Sequence, residues 1–163
     1  MNCPACGYKN IAGSDECESC QASLTDIQSL VPPKRGMERR VIEGTVADLS
    51  PRPAIQVDAS ESLGKAVEAM RSAKIGCVLV IEGGLLRGVV SEREVLHKAG
   101  EAAFSAPVSA IMRSNPTVLR DDDQVAEVFN RMAMSGHLHV PVRRADGSYG
   151  VVSARDLLRY LCQ

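Results

Sequence analysis

Four thiols open the chain in two pairs, Cys3-Pro-Ala-Cys6-Gly7 and Cys17-Glu-Ser-Cys20, with ten residues between them. Two C-x₂-C knuckles at this spacing match a structural zinc site, which needs four thiolates converging as a tetrahedron. Gly7 suits the tight turn of such a knuckle, where backbone N–H groups point toward sulfur. Two other uses of the thiols compete with zinc. A pair of disulfides conflicts with a reducing compartment, and a redox Cys-Pro-Ala-Cys centre needs a βαβ context that this short stretch lacks. Four cysteines leave no open coordination position, so a zinc here is structural rather than catalytic.

The second group with chemical potential is a repeated signature. Gly88-Val89-Val90-Ser91-Glu92-Arg93-Glu94 returns as Gly150-Val151-Val152-Ser153-Ala154-Arg155-Asp156, at an offset of 62 residues. The register extends outside the signature: Met70 falls on Met132, Val78 on Val140, Val80 on Val142 and Leu96 on Leu158. Self-similarity at fixed spacing means one unit built twice. Each copy reads as the end of a buried strand running straight into a helix. Ser91 with Glu94, and Ser153 with Asp156, have the spacing of a capping box, a purely structural use. The same geometry leaves free N–H groups at a helix start, where an anion is favoured. Arg93 and Arg155 then add a cation suited to bidentate phosphate binding. A hydroxyl and a carboxylate one turn apart can also hold a ribose diol. The two uses are compatible.

These residues resemble a tandem of CBS domains (a Bateman module), from about Thr45 to Leu161. The family signature, Gly-hydrophobic-hydrophobic-[Ser/Thr]-x-x-Asp, is met by Gly150–Asp156, and its Pro-Val dipeptide by Val140-Pro141-Val142. The first repeat departs twice, with Glu94 for the Asp and Leu79 for the Pro. The resemblance implies adenosine-containing ligands, AMP, ADP, ATP or S-adenosylmethionine, in clefts between the repeats. It implies that Ser153 and Asp156 hold the ribose and that Thr117, His137, Leu138 and His139 line the base pocket. Arg155 is assigned to phosphate from its place at the helix start. The matching set in the first repeat is Ile55, Ile75, Gly76, Cys77, Ser91, Arg93 and Glu94. The longer side chain of Glu94 makes the second set the better expected site. The cysteine segment is similar to small terminal zinc ribbons, with Gln21 where a glycine usually follows the last cysteine.

Positioning these groups requires an α/β (α+β) fold of two β-α-β-β-α repeats packed with pseudo-two-fold symmetry, preceded by the ribbon. One such unit exposes an apolar sheet face, so two must pack together. The predicted organisation is a zinc ribbon over 1–25, a linker over 26–44, a first CBS repeat over 45–100 and a second over 107–163. The linker carries Pro32-Pro33 and two basic pairs, Lys34-Arg35 and Arg39-Arg40. In the first repeat, a short helix near Val46–Leu49 precedes a strand at Ala54–Val57. A helix at Ser60–Ala73 follows, with Leu63, Ala66, Val67 and Met70 on one face. Strands at Cys77–Ile81 and Leu86–Val90 and a helix at Glu92–Ala99 complete it, ended by Gly100. The second repeat retraces this with Val108–Met112, Thr117–Leu119, Gln124–Met134, His139–Val142, Tyr149–Val152 and Ala154 to Leu161. Val125, Val128, Phe129 and Met132 are expected to face inward.

Composition removes several function classes. The chain is 45% apolar and 24% charged with net charge −1, an ordinary globular balance with no basic field for nucleic acid. It has no Trp, two Phe and three Tyr, too few for a base-stacking surface. No apolar run reaches the roughly 18 residues of a membrane span, and no apolar leader opens the chain, so a cytoplasmic protein is expected. There is no Gly-x-Ser-x-Gly, P-loop or His-Glu-x-x-His, so no enzyme is expected. Asp121-Asp122-Asp123 reads as a helix-start acidic run rather than a metal site. His137 and His139 share a strand face but have no third ligand at matching spacing. Cys77 and Cys162 read as small buried hydrophobes. The leading expectation is a non-catalytic regulatory module that senses an adenosyl ligand and signals to a partner. The alternative is a structural interaction module with empty clefts and the ribbon as docking element, with nucleic-acid binding through ribbon and linker as a lesser one. Family resemblance further implies a homodimer through the outer faces of Ser60–Ala73 and Gln124–Met134.

Overall fold

The computed structural model describes residues 2–3, 6–11, 14–21, 24, 36–98 and 104–162. The chain divides into two compact units, Met1–Glu38 and Arg39–Gln163. The expected linker residues Pro32 to Arg35, and the helix stop at Gly100, lie outside the described residues.

In the first unit both knuckles close the same way. Gly7 N–H donates to the Cys3 carbonyl at 2.9 Å, and Gln21 N–H to the Cys17 carbonyl at 2.8 Å. Both turns need left-handed backbone, with φ +77° at Gly7 and +58° at Gln21. A non-glycine residue bears strain of about 1 kcal/mol or more there. Cys3, Cys17 and Leu24 form the small buried cluster.

The second unit starts within helix α1 (Met37–Glu43). The expected irregular linker therefore becomes helical at its end. Arg39 and Glu43, one turn apart, form an ion pair at 2.6 Å, and Arg40 donates to the carbonyls of Tyr160 and Leu161. A 3₁₀ turn (Val46–Leu49) leads into β1 (Arg52–Pro53), β2 (Gln56–Asp58), α2 (Leu63–Ala73), β3 (Cys77–Glu82), β4 (Leu85–Ser91) and α3 (Glu92–Lys98). The second pass is α4 (Val108–Ile111), β5 (Arg113–Ser114), β6 (Leu119–Arg120), α5 (Val125–Ser135), β7 (His139–Arg143), β8 (Tyr149–Ser153) and α6 (Ala154–Leu161).

Each repeat donates its first short strand to the other. The sheet orders are β1-β8-β7-β6 and β2-β3-β4-β5. Arg52 lies opposite Val151, and Arg113 opposite Val89, both antiparallel. This exchange ties the repeats together through main-chain hydrogen bonds. The sheets are also covered on both faces, which explains the uninterrupted apolar run of β3. Val78 and Val80 join the core under α2. Leu79 packs the other way with Cys77 and Val89, against Tyr149 and Val151 of the second repeat.

Further details differ from the sequence expectation, the strand expected at Ala54–Val57 lying at Gln56–Asp58 among them. The strand expected at Thr117–Leu119 begins only at Leu119. In the first repeat Leu79 N–H donates to the Ile55 carbonyl at 2.9 Å. The corresponding residue in β7 is Pro141, which has no N–H to give, so the parallel pairing starts later. Phe129 is 48% exposed rather than inward-facing, because Val125, Val128 and Met132 already fill the core. Cys162 is exposed, whereas Cys77 is buried as expected.

Candidate functional site

Both strand-to-helix signatures hold their carboxylate on the signature serine, and the second closes a full capping box. Asp156 accepts from Ser153 N–H at 3.0 Å and from Ser153 Oγ at 2.5 Å, while Ser153 Oγ accepts from Asp156 N–H at 3.3 Å. Glu94 likewise accepts from the Ser91 N–H at 3.0 Å and from its hydroxyl. Both carboxylates are buried, Asp156 at 5% and Glu94 at 8% exposure. Burial pushes the Asp156 carboxyl up. The Ser153 hydrogen bonds and the Arg52 guanidinium outweigh it and leave the carboxyl below its usual value. Glu94 balances in the same direction, with burial opposed by Ser91 and by the charge of Arg113. Both residues are therefore anions at neutral pH.

What surrounds these signatures differs between the repeats. A cleft of about 720 Å³ opens beside Ser153, Arg155 and Asp156. Its other walls are Ile55, Ile75, Gly76 and Cys77 from the first repeat and Leu138 and His139 from the second. That size lies within the roughly 300–1,000 Å³ usual for small-molecule sites. The cleft thus unites residues that sequence matching had assigned to two separate sets. Thr117 and His137 lie elsewhere, in a smaller cavity of about 220 Å³ that shares only His139 with the first among the predicted residues. Ser91, Arg93 and Glu94 line neither.

Gly76 has a specific reason to be glycine. A Cβ there would sit 2.8 Å from both Cε1 and Nε2 of His139. The imidazole therefore occupies the space a side chain would take, and it forms part of the cleft wall. Burial holds His139 below its ordinary value, against the opposing charges of Glu92, Asp156 and Glu94. Burial, then the charge of Arg113, lowers His137 also. Both rings are neutral at pH 7 and offer one donor and one acceptor each. Cys77 is pushed up to about 12, first by burial and then by the Glu94 charge, so it stays a thiol and is no nucleophile.

Two arginines escaped the sequence reading. Arg52 Nη2 donates to Asp156 Oδ1 at 3.1 Å and lines the large cleft. Arg113 lines the small one, and its Nε is buried without a hydrogen-bond partner. Strand pairing makes them counterparts, since Val151 and Val89 are themselves matched. Their separation is 61 residues instead of 62. Reading the repeats at the signature's offset pairs Arg52 with Ser114 and hides the relationship.

In the first unit the four cysteine sulfurs lie within 4.8 Å of one another. Cys3 and Cys20 Sγ are 3.7 Å apart, and Cys6 and Cys17 Sγ 3.6 Å. A tetrahedron with Zn–S bonds of about 2.3 Å has S···S edges of about 3.8 Å, whereas a disulfide is about 2.05 Å. The thiols thus have the spacing of a metal site and of no cystine. Burial raises Cys17, but N–H groups of Cys20 and Ser19 and the Asn10 side chain outweigh it, bringing the thiol down to about 6. A thiolate is the form a metal needs.

Two β-α-β-β-α units that exchange edge strands define a tandem-repeat architecture. The family model described as CBS domain matches residues 46–101 and 108–163, and the chain belongs to that family. The chain is 25% identical over 118 residues to an uncharacterised 17.7 kDa protein of Acidianus ambivalens, covering 71% of this chain and 72% of that one. A CBS-domain protein of Agrobacterium tumefaciens superposes with TM-score 0.61 at 25% identity, covering 70% of this chain and 94% of the other. CBSX2, solved in complex with AMP, gives TM-score 0.58 at 25% identity, with coverage of 71% and 93%. No helix among the described residues is long and apolar enough to cross a membrane.

Proposed function

We propose that this protein is a non-catalytic regulatory module that binds one adenosine-containing ligand in the large cleft and passes its occupancy to a partner. The carrying observation is the convergence of Ser153, Asp156 and Arg155 with the His139–Gly76 wall around one cavity of suitable size. The Asp156 carboxylate is suited to the ribose diol, the neutral His139 to the base edge, and Arg155 to phosphate. The AMP complex of CBSX2 supports an adenine nucleotide as the ligand class. AMP, ADP, ATP and S-adenosylmethionine all carry the adenosine this cleft would hold. The four cysteines would hold a structural zinc, making the N-terminal unit a metal-dependent docking element in a cytoplasmic protein.

A structural module with empty clefts is the competing reading. It is favoured by the completeness of the Asp156 contacts, which already include Ser153, Arg52 and Arg159. Thermal unfolding of the full chain against each ligand separates the two. A ligand at a hundred times its dissociation constant adds about 2.7 kcal/mol to stability. Asp156→Asn keeps an oxygen for the cap but removes the charge, and it is expected to abolish the shift. No shift with any adenosyl ligand would leave the structural reading in place.

A further inference from the structure

Among the described residues, His139 is the only one that lines both cavities, so its side chain stands as the partition between them. The ring lies in the hollow that Gly76 leaves, where a Cβ would meet its Cε1 and Nε2 at 2.8 Å. The same hollow receives Glu92, whose Oε2 lies 3.3 Å from that Cβ position. The Glu92 N–H donates to the Gly76 carbonyl at 3.1 Å, which fixes the start of α3 beside the hollow. A ring nitrogen and a carboxylate therefore border one small space with no side chain of residue 76 between them.

The other charges around the ring are mostly committed. Asp156 on α6 is paired with Arg52, and Glu94 is held by Ser91. Of the cations that line the two cavities, Arg71 pairs with Glu68 and Arg131 with Glu127. Lys74, Arg113 and Arg155 form no ion pair among the described residues, and neither does Glu92. Cys77 on β3 stays a thiol, and His137 on the same strand is held low by burial. Glu92 is left as the carboxylate free to receive a charged imidazole. Burial lowers His139, and Glu92 is the foremost charge working against it.

We infer that His139 is a proton-operated gate on the large cleft: neutral over Gly76 it offers the ligand's base a ring acceptor, and protonated it turns to Glu92 and shuts the base out. The inference rests on the nucleoside reading of that cleft and adds its regulation. Protonation removes the acceptor and makes both ring nitrogens donors. A charge-assisted hydrogen bond to Glu92 is then about twice as strong as a neutral one. A ligand that prefers the neutral ring loses affinity as pH drops through the His139 value, which burial sets below about 6.5.

The test is calorimetric titration of the full chain with adenosine between about pH 7.5 and pH 5, a range that spans the ordinary histidine value. Adenosine carries no phosphate, whose own ionisation would distort the profile. Binding about threefold weaker or more is expected at the acid end, as the competent neutral fraction shrinks. His139→Gln keeps a side-chain acceptor but takes up no proton, and it should flatten the profile. Glu92→Gln removes the charge that favours the imidazolium, so the fall in affinity should move to lower pH, together with the His139 ring resonances of the free chain. Circular dichroism checks that each variant is folded at each pH. Equal adenosine affinity across the range, a profile that survives in His139→Gln, or one unmoved in Glu92→Gln would overturn the gate. Adenosine binding at no pH is a different result, and it overturns the nucleoside reading together with the gate built on it.

Discussion

Arg52 and Asp156 are 104 residues apart in sequence, yet the Arg52 guanidinium donates to the Asp156 carboxylate at 3.1 Å. Strand exchange is what brings them together, since β1 pairs with β8 directly before the signature helix. Asp156 is thus ion-paired with an arginine from the other pass of the chain, while Glu94 has the charge of Arg113 near it without an ion pair.

Arg52→Gln should weaken AMP binding about tenfold, the worth of one hydrogen bond to a charged group. The Arg52 side chain is 53% exposed, so the loss of folding stability should stay under about 1 kcal/mol. Calorimetric titration alongside denaturant unfolding checks both. A large loss of stability with unchanged AMP affinity would assign Arg52 to holding the fold alone.

Gly76→Ala should close the large cleft from within. The added methyl would meet the His139 ring, whose displacement carries it toward the ligand. Overpacking of this kind costs about 1–3 kcal/mol. A lowered melting temperature and at least tenfold weaker nucleotide binding are expected. Gly76→Ala paired with His139→Ala should restore stability, which distinguishes the ring contact from a backbone effect.

Stability should depend on pH in two windows. His139 is held below its ordinary value by burial, against Glu92, Asp156 and Glu94. The unfolded chain therefore takes up that proton first, and stability falls as pH drops below about 6.5. Asp156 is also held low by Ser153 and Arg52 despite burial, so its contribution persists at neutral pH and fades below about pH 4. Denaturant midpoints between pH 8 and pH 3 measure both, and His139→Gln should reduce the upper slope to the share that the likewise lowered His137 supplies, while leaving the lower one.

Removal of metal should unfold the N-terminal unit. Among the described residues there, the buried apolar cluster is only Cys3, Cys17 and Leu24, so metal binding would supply folding free energy on the order of 10 kcal/mol. Release of one zinc per chain by a chelator, with loss of amide protection at Cys3 and Gln21, is the expected result. Gln21→Gly should relieve the left-handed strain and slow that release.

Much of the fold was legible because its signals are local. The offset of 62 residues, the helix periodicity of Leu63, Ala66 and Met70, and the unbroken apolar β3 need only neighbouring residues to be read. The serine–carboxylate pairs were legible for the same reason, each spanning four residues. Pro141 was recognised as a family mark, but its effect on Thr117 was missed, because the missing N–H matters only once β6 lies beside β7.

The sequence by itself determined the two repeats, the four-thiol metal spacing and the identity of the signature residues, all properties of short-range pattern. The tertiary structure decided which of those residues share a cavity. Exchange of β1 and β5 between sheets sets Ser153 and Asp156 across from Gly76 and Ile75, and sends Thr117 and His137 to the other side of His139. It also paired Arg52 with Asp156 and brought the charge of Arg113 near Glu94, despite their unequal offset. Strand pairing acts between distant segments through the backbone, which every residue shares, so side-chain pattern alone carries little trace of it.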